Sequence, residues 1–578
     1  MWVISRWAER KIRVMLNNVA ERSLSKFLAI GSAGITIFIL TGSVSDPVNA
    51  TKFLLLGGVA FASFGIFCSG GWSLIKDQRI VLGISLVFVL ASFNAIVNSS
   101  SPVQQNFYGT YGRNTGFLTY LFLLLIFIAA TSLRSKRSFD LIIVSLIVSG
   151  MVNVIYCLYV LIFGDFVGWN NPYGNILGTF GNPNFIGAFL GFFASALVAY
   201  SLTKNVSIKI RILTFVTAAI ILYEIVESKA IQGRVVFASG LAIVGFYLIR
   251  SKFKSRIVLF LYSAGVTSAG FIAMLGALQI GPLTQFIYKT SVSLRGEYWQ
   301  AGINMAKTHL LTGIGYDSYG DWYRRSRDDQ ALVLPGPDTV TNAAHNVPID
   351  VFAFGGLPLL IPYLALIALV AIAIVKHTLK YREYDGLFVA LTTAWVGYQI
   401  QSIISINQIG LAIWGWLLGG ALLAYTKNYK SASPNEGKEK NQRISKRNKN
   451  EVFSPQLIGG LMMVLGLLIA SPPVSADAKF RSALNSSQIA KIEEVLTSSY
   501  LTPTDTFRFL NAVQILEQNK LFDLSYKYSK KAVEFNPESF DAWKIFYYIS
   551  KSTVEEKKQA KLKMIALDPL NKALQNLP

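Results

Sequence analysis

The sequence predicts an all-α polytopic membrane protein of about 12–13 transmembrane helices, followed by a small α-helical soluble domain. Three observations predict it. Hydrophobic residues make up 52% of the 578 and charged residues only 15%, against about 25% charged in soluble proteins. The apolar residues fall in blocks of about 16–25, the length that crosses a bilayer core. The basic residues behind the net charge of +22 sit mostly in alternate loops between those blocks. That is the pattern of cytoplasmic loops, not of a nucleic-acid-binding face.

The elements follow in order. Residues 1–26 are basic and precede a block at 27–44, which reads as a retained first span rather than a cleaved signal. Further spans are expected at 53–69, 80–97, 116–133, 141–163, 185–203, 212–226, 235–249, 257–279, 357–375, 386–405, 410–426 and 456–471. Each must be helical, because lipid offers no partner for an unpaired backbone group. With the N-terminus in the cytoplasm, the inner segments hold 29 Lys and Arg, while the collectively longer outer loops before the last span hold 10. The two cysteines, Cys68 and Cys157, both lie in apolar blocks, so neither a disulfide framework nor a thiolate metal site is indicated.

This division gives a membrane domain over 1–426, a basic linker at 427–455, the last span at 456–471 and a polar tail at 477–578. The linker reads as a cytoplasmic segment held on anionic lipid. The tail falls on the outer side. In it, Lys531-Ala-Val-Glu-Phe-Asn-Pro537 and Lys563-Met-Ile-Ala-Leu-Asp-Pro569 echo each other 32 residues apart. That spacing is similar to degenerate tetratricopeptide repeats, and it would suit docking of a protein partner. The outer loop 280–346 is far longer than the others. It contains Trp299, Trp322 and a helix-like stretch at 296–311, so an ordered, functional loop is expected.

Candidate chemistry gathers at the outer ends of the spans. His345 lies in Thr341-Asn-Ala-Ala-His-Asn-Val-Pro-Ile-Asp350, where the long loop re-enters the membrane. A neutral imidazole there suits removal of a proton from a hydroxyl; an interfacial histidine that only hydrogen-bonds is the alternative. Arg295 on the same loop and Arg234, with Lys229 nearby, stand on the outer side against the positive-inside pattern. Guanidinium forks match phosphate oxygens, whereas snorkelling to headgroups is the plainer reading for Arg234. Glu297 and Asp350 are placed to orient the imidazole or the arginines, or simply to pair locally. Gly-Asn-Pro-Asn with Asn182 and Asn184, and the glycine-rich 107–116 containing Arg113, both open spans from outside. Capping explains part of that, and backbone donors at helix starts also suit an anionic head group. There is no phosphate-binding Gly-rich loop with Lys-Ser/Thr, no zinc-spaced His/Cys set and no outer Asp-x-Asp pair, so no metal or other cofactor is expected.

From 107 to about 420 the chain resembles the O-antigen ligase and polymerase superfamily, related to protein O-oligosaccharyltransferases. The carriers are Gly181-Asn-Pro-Asn184, the long outer loop, Leu294-Arg-Gly with Trp299, Gly313-Ile-Gly-Tyr316, and His345-Asn346 followed by nine residues and Gly356. Leu359 departs from the ligase signature, which has a small residue there, and Ser228-Lys229 stands where relatives have Ser-Arg. Gln399–Asn407 also looks family-like, without assigned chemistry.

The resemblance implies a GT-C-type membrane glycosyltransferase fold in the bacterial inner membrane and an undecaprenyl-diphosphate-linked glycan donor. The acceptor is then a hydroxyl of a lipid, glycan or protein at the outer face, as in lipopolysaccharide and other cell-envelope polysaccharides. It further implies His345 as base, with Arg295, Arg234 and Lys229 on the diphosphate, and inversion without a metal. Asn346, Glu297, Gly356, Asn182, Asn184 and Arg113 support the site. A repeat-unit polymerase and a non-enzymatic transporter of polysaccharide or lipid-linked sugar are the alternatives.

Overall fold

A computed structural model describes residues 2–70, 77–169, 171–172, 174–282, 284–287, 290–429, 454–486 and 488–578, with side chains from Val19 onward except at 286, 287 and 291. The linker expected at 427–455 thus lies largely outside the described residues. Regular structure among the described residues is helical. The helices used below are α1 (Trp2–Ile37), α2 (Asn49–Ser69), α3 (Arg79–Val97), α4 (Val103–Tyr108), α5 (Phe117–Ala130), α6 (Lys136–Phe163), α7 (Pro183–Ser201), α8 (Ile208–Glu227), α9 (Ile231–Lys252) and α10 (Arg256–Ala277). Next come α11 (Thr290–Thr308), α12 (Tyr319–Ser326), α13 (Val347–Lys380), α14 (Gly386–Ile404), α15 (Ile409–Asn428) and α16 (Pro455–Ser486). The tail adds α17 (Ile489–Leu496), α18 (Thr506–Gln518), α19 (Phe522–Phe535), α20 (Phe540–Tyr548) and α21 (Val554–Leu567).

Among the described residues, 10 helices are long and apolar enough to cross a membrane. The chain is a multi-pass membrane protein. The other three expected spans are helical too, in α1, α5 and α8. The α5 helix has only 14 residues. Nearly all of it is buried inside the bundle, so lipid thickness does not dictate its length.

Two ends of the bundle are distinguishable by their contacts. At one end Arg134 pairs with Asp77 at 3.5 Å, Lys427 donates to the Asp77 carbonyl at 3.0 Å, and Arg250 and Arg382 donate to the carbonyls of Thr378 and Phe253. These are the expected basic loops. The opposite end gathers Asn49, which donates to the Gly112 carbonyl at 2.8 Å, and Asp477, which accepts from the Ser45 and Asp46 amides at 2.8 and 2.9 Å.

Close helix crossings depend on small residues. A Cβ on Gly466 of α16 would sit 2.2 Å from the Gly57 carbonyl oxygen of α2, and one on Gly191 of α7 would sit 2.7 Å from that of Gly233 of α9. Backbones meet there, which is how membrane helices gain packing when lipid is as apolar as leucine.

Three boundaries differ from the expected ones, each for a local reason. The span expected at 27–44 stops being helical at Ile37. Lys52, wholly buried, caps that end by donating to the carbonyls of Ile35 at 2.8 Å and Thr36 at 2.6 Å, with Phe180 beneath its ammonium. Lys52 was expected as a loop charge. The span expected to end at 375 continues to Lys380, which places His377 near the C-terminal end of α13, boxed by Tyr381, Phe388, Tyr425 and Tyr429.

The third difference is α16, which runs unbroken from the last span into the tail, through Pro472 and Pro473. Pro472 cannot donate to the Leu468 carbonyl, and that oxygen is satisfied instead by the Tyr500 and Ser471 hydroxyls at 3.0 and 2.9 Å.

The tail has its own apolar core, around Phe480, Phe509, Trp543 and Phe546. Two helix pairs, α18–α19 and α20–α21, follow α17. Asn536 and Asp568, the ends of the two echoed segments, terminate α19 and α21. Both dock on α12 and its C-terminal flank. Asn536 donates to Asp321 at 3.2 Å, and Asp568 accepts from Arg327 at 2.8 and 3.0 Å and from Arg324 at 3.2 Å. The ends of the two echoed segments thus help fix the tail to the long loop, together with the Arg325–Glu538 pair at 2.6 Å.

Candidate functional site

The long loop folds against the start of α13. Asn346 caps α13 by accepting from the Ile349 amide at 3.1 Å, and Asp350 reaches back to accept from the Ala344 amide at 2.7 Å. The two bonds bracket His345, which sits outside the helix at φ +56°. A non-glycine residue takes that conformation only when its surroundings enforce it, and such residues cluster at functional sites. Asp350 therefore orients the imidazole through the backbone.

Helix α11 supplies the facing wall. A Cβ on Gly302 would lie 2.6 Å from Ile349, so α11 crosses the first turn of α13 closely. One turn before the crossing, the Tyr298 ring lies 5.7 Å from that of His345, and Arg295 precedes it by three residues on the same helix.

A second loop approaches from 108–116. The buried Asp317 carboxylate accepts from the Thr110 amide at 2.7 Å, the Thr110 hydroxyl at 3.2 Å and the Thr115 hydroxyl at 2.9 Å. That wraps the loop around one carboxylate and presents Arg113. The imidazole of His345 is pushed down to about 3, first by burial and then by the charges of Arg113 and Arg295. It is therefore neutral across the physiological range. Burial also lowers the Arg295 guanidinium from its usual value.

Arg113 faces a cleft of about 310 Å³ shared with Asn182, Trp169, Asn407 and Gln408. Three helices start on this cleft. Asn182 caps α7, accepting from the Asn184 amide at 2.9 Å; Gln408 caps α15, accepting from the Leu411 amide at 3.1 Å; Asp46 caps α2, accepting from the Val48 and Asn49 amides at 3.0 Å. Helix starts carry partial positive charge, so together with the guanidinium they favour an anion. The Asp46 carboxylate opposes an anion, but it is engaged by those amides.

The structure thus brings together His345, Arg295, Arg113, Asn346 and, along the cleft, Asn182. Asn184 stands on the first turn of α7. Arg234 and Lys229 are exposed at the start of α9 and are not among the charges acting on His345. Glu297 has Asp328 as its electrostatic neighbour and burial as the larger influence; both raise its carboxyl above the usual range.

Gly356 has a backbone role. It breaks α13 at φ +64° and ψ −159°. The loop before Tyr316 fills the break: Leu357 donates to the Leu310 carbonyl at 2.9 Å, and Ile314 and Gly315 donate to Ala353 and Phe354 at 3.0 Å. A Cβ on Gly356 would be 2.2 Å from the Leu310 oxygen. Gly356→Ala should therefore cost more than the about 1–3 kcal/mol of backbone strain alone and displace the half-helix that carries His345. Thermal unfolding of the purified protein checks this; an unchanged midpoint would contradict it.

Sequence reasoning missed Tyr298, Asp317 and the cleft residue Gln408. Gly313-Ile-Gly-Tyr316 and Gln399–Asn407 were the available signals, since both border the site.

Residues 213–364 match the family model described as O-antigen ligase. The match runs from α8 to the break in α13 and so includes Arg234, Arg295, His345 and Gly356. No curated protein sequence matches the chain.

Proposed function

From the match of residues 213–364 to the O-antigen ligase family model, we propose that this protein transfers a glycan from undecaprenyl diphosphate to an acceptor hydroxyl. The observation that carries this reading is the convergence of Arg113 and Arg295 on a neutral His345, with Arg113 also lining a cleft ringed by three helix starts.

His345 takes the proton of the acceptor hydroxyl. The freed oxygen attacks the anomeric carbon, the bond from that carbon to the diphosphate oxygen breaks, and polyprenyl diphosphate leaves with the electron pair. Arg295 and Arg113 stabilise the charge that develops on it. One displacement inverts the anomeric carbon, and the guanidinium groups fill the role that a metal would otherwise take. Arg234 and Lys229, exposed at the start of α9, meet the diphosphate as the donor approaches from lipid.

Arg295→Lys tests the diphosphate assignment, because a point charge lacks the bidentate fork. With labelled lipid-linked glycan as donor, Arg295→Lys and Arg113→Ala should each lower kcat/KM by about tenfold or more, the equivalent of one lost charge-assisted hydrogen bond. Full activity in both variants would remove the arginines from the mechanism.

By the distribution of basic residues the site faces outward and the linker inward, and the family match suggests a bacterial inner membrane. A reporter active only in an oxidising compartment, fused after Pro578, should be active. Activity of a cytoplasmic reporter at that point would invert the topology.

A further inference from the structure

The tail and the membrane domain enclose a cleft of about 260 Å³ between the loop 104–114, the residues after Asp317 and the segment 503–510 of the tail. Its walls from the loop 104–114 and from the tail lie outside the residues that match the family, and it has Gly109, Thr110, Tyr111 and Asn114 where the other cleft has Gly112 and Arg113. We propose that this cleft is a saccharide-binding site that holds a neutral glycan segment beside the reaction centre, with the tail as its outer wall. The proposal deepens the glycan-transfer reading and rests on it for the kind of substrate at hand.

The wall chemistry selects the ligand. Three of its carboxylates are bonded within the protein: Asp317 by Thr110 and Thr115, Asp321 by Gln105 and Asn536, and Asp505 by Arg508 at 2.7 Å. Among the described residues no three Asp, Glu, His or Cys side chains are grouped to hold a metal ion. The carboxylate collar also disfavours an anion, so this is not a second diphosphate site.

What remains are acceptor-rich walls, amides on Gln104, Asn114 and Asn342, and aromatic faces. Tyr111 and Phe507 stack at 4.3 Å with 6° between their planes, one ring from each domain. Sugar hydroxyl groups both donate and accept, which suits walls that mix carboxylates with amides, and the apolar face of a sugar ring fits an aromatic one.

Two buried polar groups point to a ligand independently. The Thr504 hydroxyl and the Arg508 Nε, on cleft-lining residues only 3% and 4% exposed, have no hydrogen-bond partner within the protein. A buried polar group left unpaired costs free energy unless something fills the space and satisfies it.

The test uses the full chain in lipid nanodiscs. The probe is the glycan released by mild acid from the lipid-linked donor of the source cells, labelled with a fluorophore. It should bind saturably, and Phe507→Ala and Asn342→Ala should each weaken it by about tenfold. Both residues are exposed, and Asn342 takes no part in the aromatic stack that bridges the two domains, so its loss leaves the docking intact. Retained binding after preloading with intact lipid-linked donor would mark an acceptor-side glycan; competition would mark the donor's own glycan. Either supports the site.

Absence of saturable binding, binding indifferent to both substitutions, or capture of oligolysine in place of glycan would overturn it. Failure here leaves the His345 chemistry standing if transfer persists. Glycan binding in a protein that never transfers would sink the proposed reaction while keeping the cleft.

Discussion

His345→Ala should lower glycan transfer by about 10²–10⁴-fold, the usual contribution of a positioned general base. Protein level and donor binding should change little, because the imidazole lies outside the helix beside Tyr298 and the diphosphate is assigned to arginine. The variant should therefore accumulate lipid-linked glycan without consuming it.

The pH dependence carries a further signature. In the free protein the imidazole is held down to about 3 by burial, Arg113 and Arg295. A diphosphate bound between the two guanidinium groups cancels their charge and lifts the imidazole again. The acid limb of kcat, which reports the donor complex, should then lie at higher pH than that of kcat/KM, which reports the free protein. Superimposable acid limbs would separate His345 from the arginines. For stability the sign is opposite to that of a histidine gaining an anionic partner. The folded value lies below the unfolded 6.5, so the contribution of His345 is complete above 6.5 and is lost as pH falls from there toward 3.

Asp568→Ala should free the tail. Its carboxylate is fully buried and held by Arg327 at 2.8 Å and Arg324 at 3.2 Å, while Arg324 also stacks on Phe540 at 4.2 Å. Removing one partner of a buried pair costs about 3–5 kcal/mol, since the other charges stay buried and uncompensated. Limited proteolysis should then release a fragment cut near residue 487, and the cleft wall formed by 503–510 should be lost with it. Lys551→Ala, which breaks an exposed pair with Asp523, is worth about 0–1 kcal/mol and should leave the digestion pattern unchanged. Equal protease resistance in Asp568→Ala and the parent would mean the latch contributes nothing to docking.

Much of this architecture was legible in the sequence, because lipid admits few solutions. Apolar block length and basic-loop alternation located the long apolar helices of the membrane part, but not the short α4 and α12, and the 32-residue echo in the tail marked the two helix ends that dock on α12 and its flank. Boundaries were less legible where a side chain acts at a distance in sequence. Lys52 ends α1 from a later helix, and Tyr500 repairs the carbonyl that Pro472 leaves open. Neither effect has a periodic signature.

The site divides the same way. His345, Asn346, Arg295 and Gly356 stand on segments that meet through α11 and α13, and their motifs were readable. Arg113 was placed only in a supporting role. Its position beside the imidazole depends on Asp317 folding a loop from 200 residues earlier in the chain. Arg234 and Lys229 had the right residue types, yet the start of α9 leaves both exposed, away from the charges that act on His345.

The central claim is that this chain itself breaks the bond between glycan and diphosphate. Purified protein in proteoliposomes, given lipid-linked glycan labelled in both the sugar and the lipid together with an acceptor, measures that directly. The account predicts one polyprenyl diphosphate released for each glycan joined to the acceptor, dependent on His345 and indifferent to chelators. Movement of the intact labelled donor across the bilayer with no diphosphate released would contradict it and make the protein a transporter.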